Sequence, residues 1–146
     1  MNDIKSFVLL KYQVLTTDPS TWYLCETYPL EVRKNWAWRC AEDIEHLDTR
    51  KNEKEIYRVA RLYRDGKATR EEVNITKTAN YAVYVATLAT DVTYATSAAD
   101  YAADYASYLI CAISPTSKNA IYAAKWNLYI KWLIEELCKY EGLQIE

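Results

Sequence analysis

An all-α, single-domain helical bundle is what this sequence predicts, and three observations carry that expectation. The 146 residues suit one domain, 1–146, long enough to bury a core without disulfides or metals. Hydrophobic residues make up 51%, too many for a disordered chain. Glycine (2) and proline (3) are both scarce. All-β folds need turn residues at short intervals, so long helices joined by few loops are the architecture left.

The elements follow in order. Ile4, Phe7, Val8, Leu10, Val14 and Leu15 predict an opening helix that ends before Thr16-Thr17-Asp18-Pro19. Asp18 with Pro19 reads as an N-cap with proline at the first helical position, opening a short helix through Trp22 and Leu24. Pro29 starts the next, along which Trp36, Cys40, Ile44 and Leu47 recur at helical spacing. Trp36 and Trp38 point to different sides of that helix. Its periodic partners make Trp36 the buried one, which leaves Trp38 as an exposed interface anchor.

Asn52 to Gly66 carries clear punctuation: a capping Asn52, Glu55 three residues on, the stripe Ile56, Val59, Ala60 and Tyr63, and a glycine stop. Thr69-Arg70-Glu71-Glu72 is a capping box for the helix that follows. From Arg70 the helical pattern can run to Ile113, before Ser114-Pro115. Unbroken, it spans ~66 Å at 1.5 Å per residue, against a radius of gyration of ~15 Å for a compact domain of this size. A bend is therefore expected, with Thr87, Thr90 and Thr93 the candidate region. Ser117 opens a last helix through Trp126, Tyr129, Leu133 and Leu137, closed by Gly142.

The most unusual stretch runs from Asp91 to Ile110. At ~100° per residue, Val92, Ala95, Ala99, Ala102, Ala106 and Ile110 share one face. Tyr94, Tyr101, Tyr105 and Tyr108 gather in an arc of roughly 60° on its shoulder, and Thr93, Ser97, Asp100, Asp104 and Ser107 occupy the polar side. Small side chains admit a neighbouring backbone, so the alanine face reads as core. The tyrosines, apolar in body and polar at the tip, suit either a helix boundary or the wall of a binding surface. Asp100 and Asp104 either receive a cation from a partner or pair within the chain, with Arg58 or Arg61 of the 52–66 helix as the expected partners.

Charge and composition exclude several classes. A net charge of −2 gives no reason to expect nucleic acid. No stretch approaches the ~20 apolar residues of a membrane span, and the start of the chain lacks the pattern of a signal peptide. Cys25, Cys40, Cys111 and Cys138 form no CxxC pair, so neither zinc nor another metal is expected, and reduced thiols point to the cytoplasm. No P-loop, dinucleotide turn or nucleophile elbow is present. His46 reads as a partner of a helix C-terminus, and Glu42-Asp43 and Glu135-Glu136 as solvated acids. No catalytic residue and no cofactor is assigned.

Three blocks of residues resemble a family of alanine-rich helical immunity proteins of bacterial toxin systems. They are Trp36-Ala37-Trp38-Arg39-Cys40-Ala41-Glu42, then Ala60 to Thr69, and the alanine-rich run closing in Ala120-Ile121-Tyr122-Ala123-Ala124-Lys125. The resemblance spans roughly Trp36 to Lys125. In the long run this chain has tyrosine, threonine and aspartate where that pattern has alanine, arginine and histidine, which suits a phage or mobile-element relative. The resemblance implies a non-catalytic inhibitor of a toxin or host-defence protein; Trp38 as an exposed anchor and the early arginines Arg39, Arg58 and Arg61 join the tyrosines and aspartates in the candidate surface. A second reading is a sponge for a nucleotide-like small molecule, with tyrosine stacking on a base and arginine gripping phosphate. A third is a homo-oligomer assembled through the alanine face.

Overall fold

Local chemistry sets most of the helix boundaries. The protein is described here from a computed structural model, which covers residues 3–47, 51–77 and 95–143. Among these residues are six α-helices and one 3-10 helix. They are α1 (Asp3–Lys11), the 3-10 helix (Pro19–Thr27), α2 (Leu30–Glu45), α3 (Lys51–Arg64), α4 (Arg70–Lys77), α5 (Ala95–Cys111) and α6 (Lys118–Tyr140). None of the described helices is long and apolar enough to cross a membrane.

The caps lie where the sequence places them. The Asp18 carboxylate accepts from the Ser20 N–H at 3.1 Å, with Pro19 in the first turn. Thr69 and Glu72 form the reciprocal box: each backbone N–H donates to the other's side chain, at 3.0 and 3.2 Å. The Ser117 hydroxyl accepts from the Ala120 N–H at 3.2 Å. Gly66 (φ 76°) and Gly142 (φ 73°) take the left-handed conformation that ends α3 and α6. Two boundaries differ from expectation. α1 stops at Lys11 instead of reaching Leu15. Leu15 is nevertheless buried, on an extended segment tied down by the Tyr28 hydroxyl donating to the Gln13 carbonyl. α3 starts at Lys51, one residue before the expected cap, and the Glu55 carboxylate bonds Arg58.

α2, α5 and α6 pack on one another as a three-helix core. α1 lies on α6, the 3-10 helix meets α5, and α3 pairs with α4 while touching α2. Within this core Ala95, Ala99, Ala102 and Ala106 are buried, as their spacing requires, and Ala98, Ala103 and Ser107 are buried too. The buried arc is therefore wider than one face, because α5 has a neighbour on two sides. Ser107, expected on the polar side, sends its hydroxyl to the Asp104 carbonyl at 2.5 Å. With the alanines enclosed inside the chain, that face is not available to a second copy. The expected bend at Thr87, Thr90 and Thr93 lies outside the described residues.

Trp36 and Asp43 provide two of the polar cross-links that join α2 to α6. The Trp36 indole N–H donates to the Tyr129 carbonyl at 2.8 Å. Asp43 accepts from both the Lys125 ammonium and the Tyr129 hydroxyl, each at 2.8 Å. Burial, with Asp43 as a lesser cause, pushes the Tyr129 phenol far above its ordinary value. Trp22 stacks on Trp126, ring centres 5.6 Å apart, which anchors the 3-10 helix to α6. The cysteines are all free thiols: Cys25, Cys40 and Cys138 are buried and Cys111 is exposed.

Candidate functional site

The expected tyrosine surface is smaller than the sequence implies. Tyr101 and Tyr105 are half-buried and pack against the core. Tyr108 alone of the described tyrosines on α5 is largely exposed, at 58%, with the Lys118 ammonium 3.7 Å from its ring centre. Tyr94 lies outside the described residues. The two aspartates pair within the chain, but not with Arg58 or Arg61. Asp100 accepts from the Tyr122 hydroxyl, and Asp104 forms an ion pair with Lys118 at 3.2 Å. Both partners sit on α6, the helix beside α5. Arg58 instead clasps Glu55 in its own helix at 2.5 Å, and Arg61 binds Glu42 and Glu45 of α2.

The structure assembles a different constellation around Trp38. α2 carries both tryptophans inward: Trp36 is fully buried and Trp38 is only 3% exposed, so the expectation of an exposed Trp38 is corrected. The reason is tertiary. Trp36 faces α6, whereas the end of α3 lays the Arg64 guanidinium over the Trp38 ring, 4.6 Å from its centre. The two indoles also differ in their hydrogen bonding. Trp36 has its carbonyl acceptor, whereas the Trp38 N–H is buried without one.

Around Trp38 opens a cleft of about 500 Å³, walled by α2, the end of α3 and the last turns of α6. Lys34, Arg39, Arg64 and Lys139 contribute cations to it, and Glu42, Asp65 and Glu136 contribute carboxylates. Arg39 spans two acids of α6, with Glu135 at 3.1 Å and Glu136 at 2.9 Å, and lies 4.7 Å from the Trp132 ring centre. Glu136 is only 3% exposed and Glu135 is half-buried on Arg39, so the reading of Glu135-Glu136 as a solvated pair is corrected. Asp43 is a similar case, its side chain 9% exposed. Arg64 pairs with its sequence neighbour Asp65 at 3.0 Å, and that guanidinium is the main cause of the lowered Asp65 pKa. Lys34 is exposed and enters none of these ion pairs.

Of the residues singled out from sequence, the structure brings Trp38 and Arg39 into this cleft, with Arg61 just behind it on Glu42. Asp100, Asp104 and Tyr108 form a separate region at the α5–α6 corner with Lys118 and Tyr122, and Arg58 joins neither. Sequence reasoning missed Arg64, Lys34 and Lys139. Only the register between helices brings them together. Among the described residues no group of three or more potential metal ligands is found. No family model matches the chain, no curated protein matches its sequence, and no solved structure matches its fold.

Proposed function

We propose that this is a non-catalytic binding protein that neutralises a toxin or host-defence effector by protein–protein contact, with the Trp38 cleft as its contact surface. The observation that carries the reading is the pair of guanidinium-on-indole stacks, Arg64 on Trp38 and Arg39 on Trp132, beside one open cleft. Arginine and tryptophan are the residue types that dominate binding energy at protein interfaces, where they are held in pre-ordered positions. The resemblance of Trp36 to Glu42 and Ala60 to Thr69 to toxin-immunity proteins supports the inhibitory role, since both blocks contribute to the cleft.

Affinity capture with the tagged protein tests this reading. One protein should be retained in near-equimolar amount, and Arg64→Ala should weaken its retention while helicity is unchanged. Retention of no protein by the wild type refutes the proposal.

A second reading, a sponge for a nucleotide-like ligand, is favoured by the cleft's volume, which falls in the range of small-molecule sites. It predicts stabilisation by a nucleotide in a thermal-shift screen, worth ~2.7 kcal/mol at a hundredfold excess over Kd. No shift with any nucleotide rules it out.

A further inference from the structure

We infer that the Trp38 cleft is a carboxylate receptor, built to take an acidic side chain from an acidic segment of a protein partner. The inference rests on the binding reading above and names the chemistry of that partner. Three observations in one place carry it. The Trp38 indole N–H is buried with no acceptor, as are those of Trp22 and Trp126, but of these three Trp38 is the one that lines the cleft. A buried donor without a partner is uncommon in a finished fold and marks a place where an oxygen can be gained. Lys34 adds an exposed ammonium that forms no ion pair among the described residues and acts on Asp65 only as a nearby charge. Arg64, which covers Trp38, is held only by its exposed sequence neighbour Asp65, a pair of small intrinsic worth.

These groups are all donors, so their complement is an oxygen acceptor bearing negative charge. The cleft's own acids decide which kind. Glu42 is committed to Arg61, and Glu136 to Arg39 and Lys139. A polyphosphate entering here meets three carboxylates at close range. A single carboxylate meets a balanced exchange instead: it takes the place of Asp65 on Arg64, gains Lys34, and reaches the indole N–H once Arg64 turns towards it. No bond is made or broken in this step.

The test follows the indole N–H signals of the intact protein by NMR, with Trp38→Phe identifying the Trp38 signal among the five tryptophans. The probes are an unstructured glutamate-rich peptide, inorganic phosphate and ATP at matched ionic strength. The peptide should move the Trp38 signal saturably. Lys34→Glu should weaken that titration about tenfold, the usual scale for a charge-assisted hydrogen bond, and Lys34→Arg should retain it. The inference is overturned if the peptide moves nothing, if ATP or phosphate saturates the signal and the peptide does not, or if Lys34→Glu titrates like wild type. Partner capture separates the two levels of the argument. A partner retained equally by wild type and Lys34→Glu overturns the receptor while leaving the binding reading intact. A saturable peptide titration in a protein that retains no partner upholds the receptor and removes the inhibitor reading.

Discussion

Replacing Asp43 by alanine leaves two interior donors without an acceptor at once. Its carboxylate holds the Lys125 ammonium and the Tyr129 hydroxyl, each at 2.8 Å, and Tyr129 is fully buried between α2 and α6. Orphaning one buried hydroxyl costs ~1–3 kcal/mol. Breaking a fully buried ion pair from one side costs ~3–5 kcal/mol. Lys125, however, is 17% exposed and can turn its ammonium towards water, so its share is smaller. The expected total is about 3–4 kcal/mol, a sizeable fraction of the ~5–15 kcal/mol that stabilises a typical domain. At ~2–4 °C per kcal/mol the melting temperature should fall by roughly 10 °C. Asp43→Asn, which keeps an acceptor for Tyr129 but loses the charge, should cost about half as much. Urea titration followed by far-ultraviolet circular dichroism measures each value. A loss below ~1 kcal/mol for Asp43→Ala refutes the assignment of this triad as a buried cross-link.

Other consequences are equally direct. Ala102→Leu inserts a branched side chain where α5 is fully buried against its neighbours, and should cost ~1–3 kcal/mol by the same titration. Thr69→Ala removes half of the capping box and should cost ~1 kcal/mol, with fraying visible as faster amide exchange at the start of α4. Gly66→Ala meets no neighbouring atom within 4 Å, so its cost, ~1 kcal/mol, is purely that of placing a Cβ at φ 76°.

The pH dependence has a definite sign at the alkaline end. Burial, reinforced by Asp100, pushes the Tyr122 phenol from 10.0 to about 12. A group raised in the folded state contributes stability in full below its unfolded pKa, and that contribution is lost as pH climbs through the folded value. Stability should therefore decline between about pH 10 and 12, with part of the tyrosinate absorbance appearing late. Tyr122→Phe should remove its share of that decline.

What the sequence makes legible is what neighbouring residues decide. Asp18, Thr69 with Glu72, Ser117, Gly66 and Gly142 all act within a turn of their own position, and each behaves as its pattern requires. The alanine stripe likewise identified α5 as a core helix. What fails is everything that depends on which helix lies alongside. Asp100 and Asp104 find α6 instead of α3. Trp38 is buried because the end of α3 returns over α2, and no periodicity within α2 encodes that return. One miss did leave a trace. Glu136 falls only ~20° from Tyr129 around α6, inside the apolar stripe, where an acid must have a partner. Arg39, already a candidate for other reasons, is that partner.

The distribution of the four thiols gives the molecule a built-in clock for its own opening. Cys111, at the exposed end of α5, should react with a maleimide as fast as a free peptide thiol. Burial raises the Cys40 thiol well above its ordinary value, which suppresses the reactive thiolate as well as access to it. Cys25, on the 3-10 helix, and Cys138, in the last turn of α6, are buried as well. Mass spectra taken during labelling should thus show one prompt adduct. The three slow ones then date the release of the 3-10 helix, the fraying of the α6 terminus and the separation of the three-helix core, each by its own thiol.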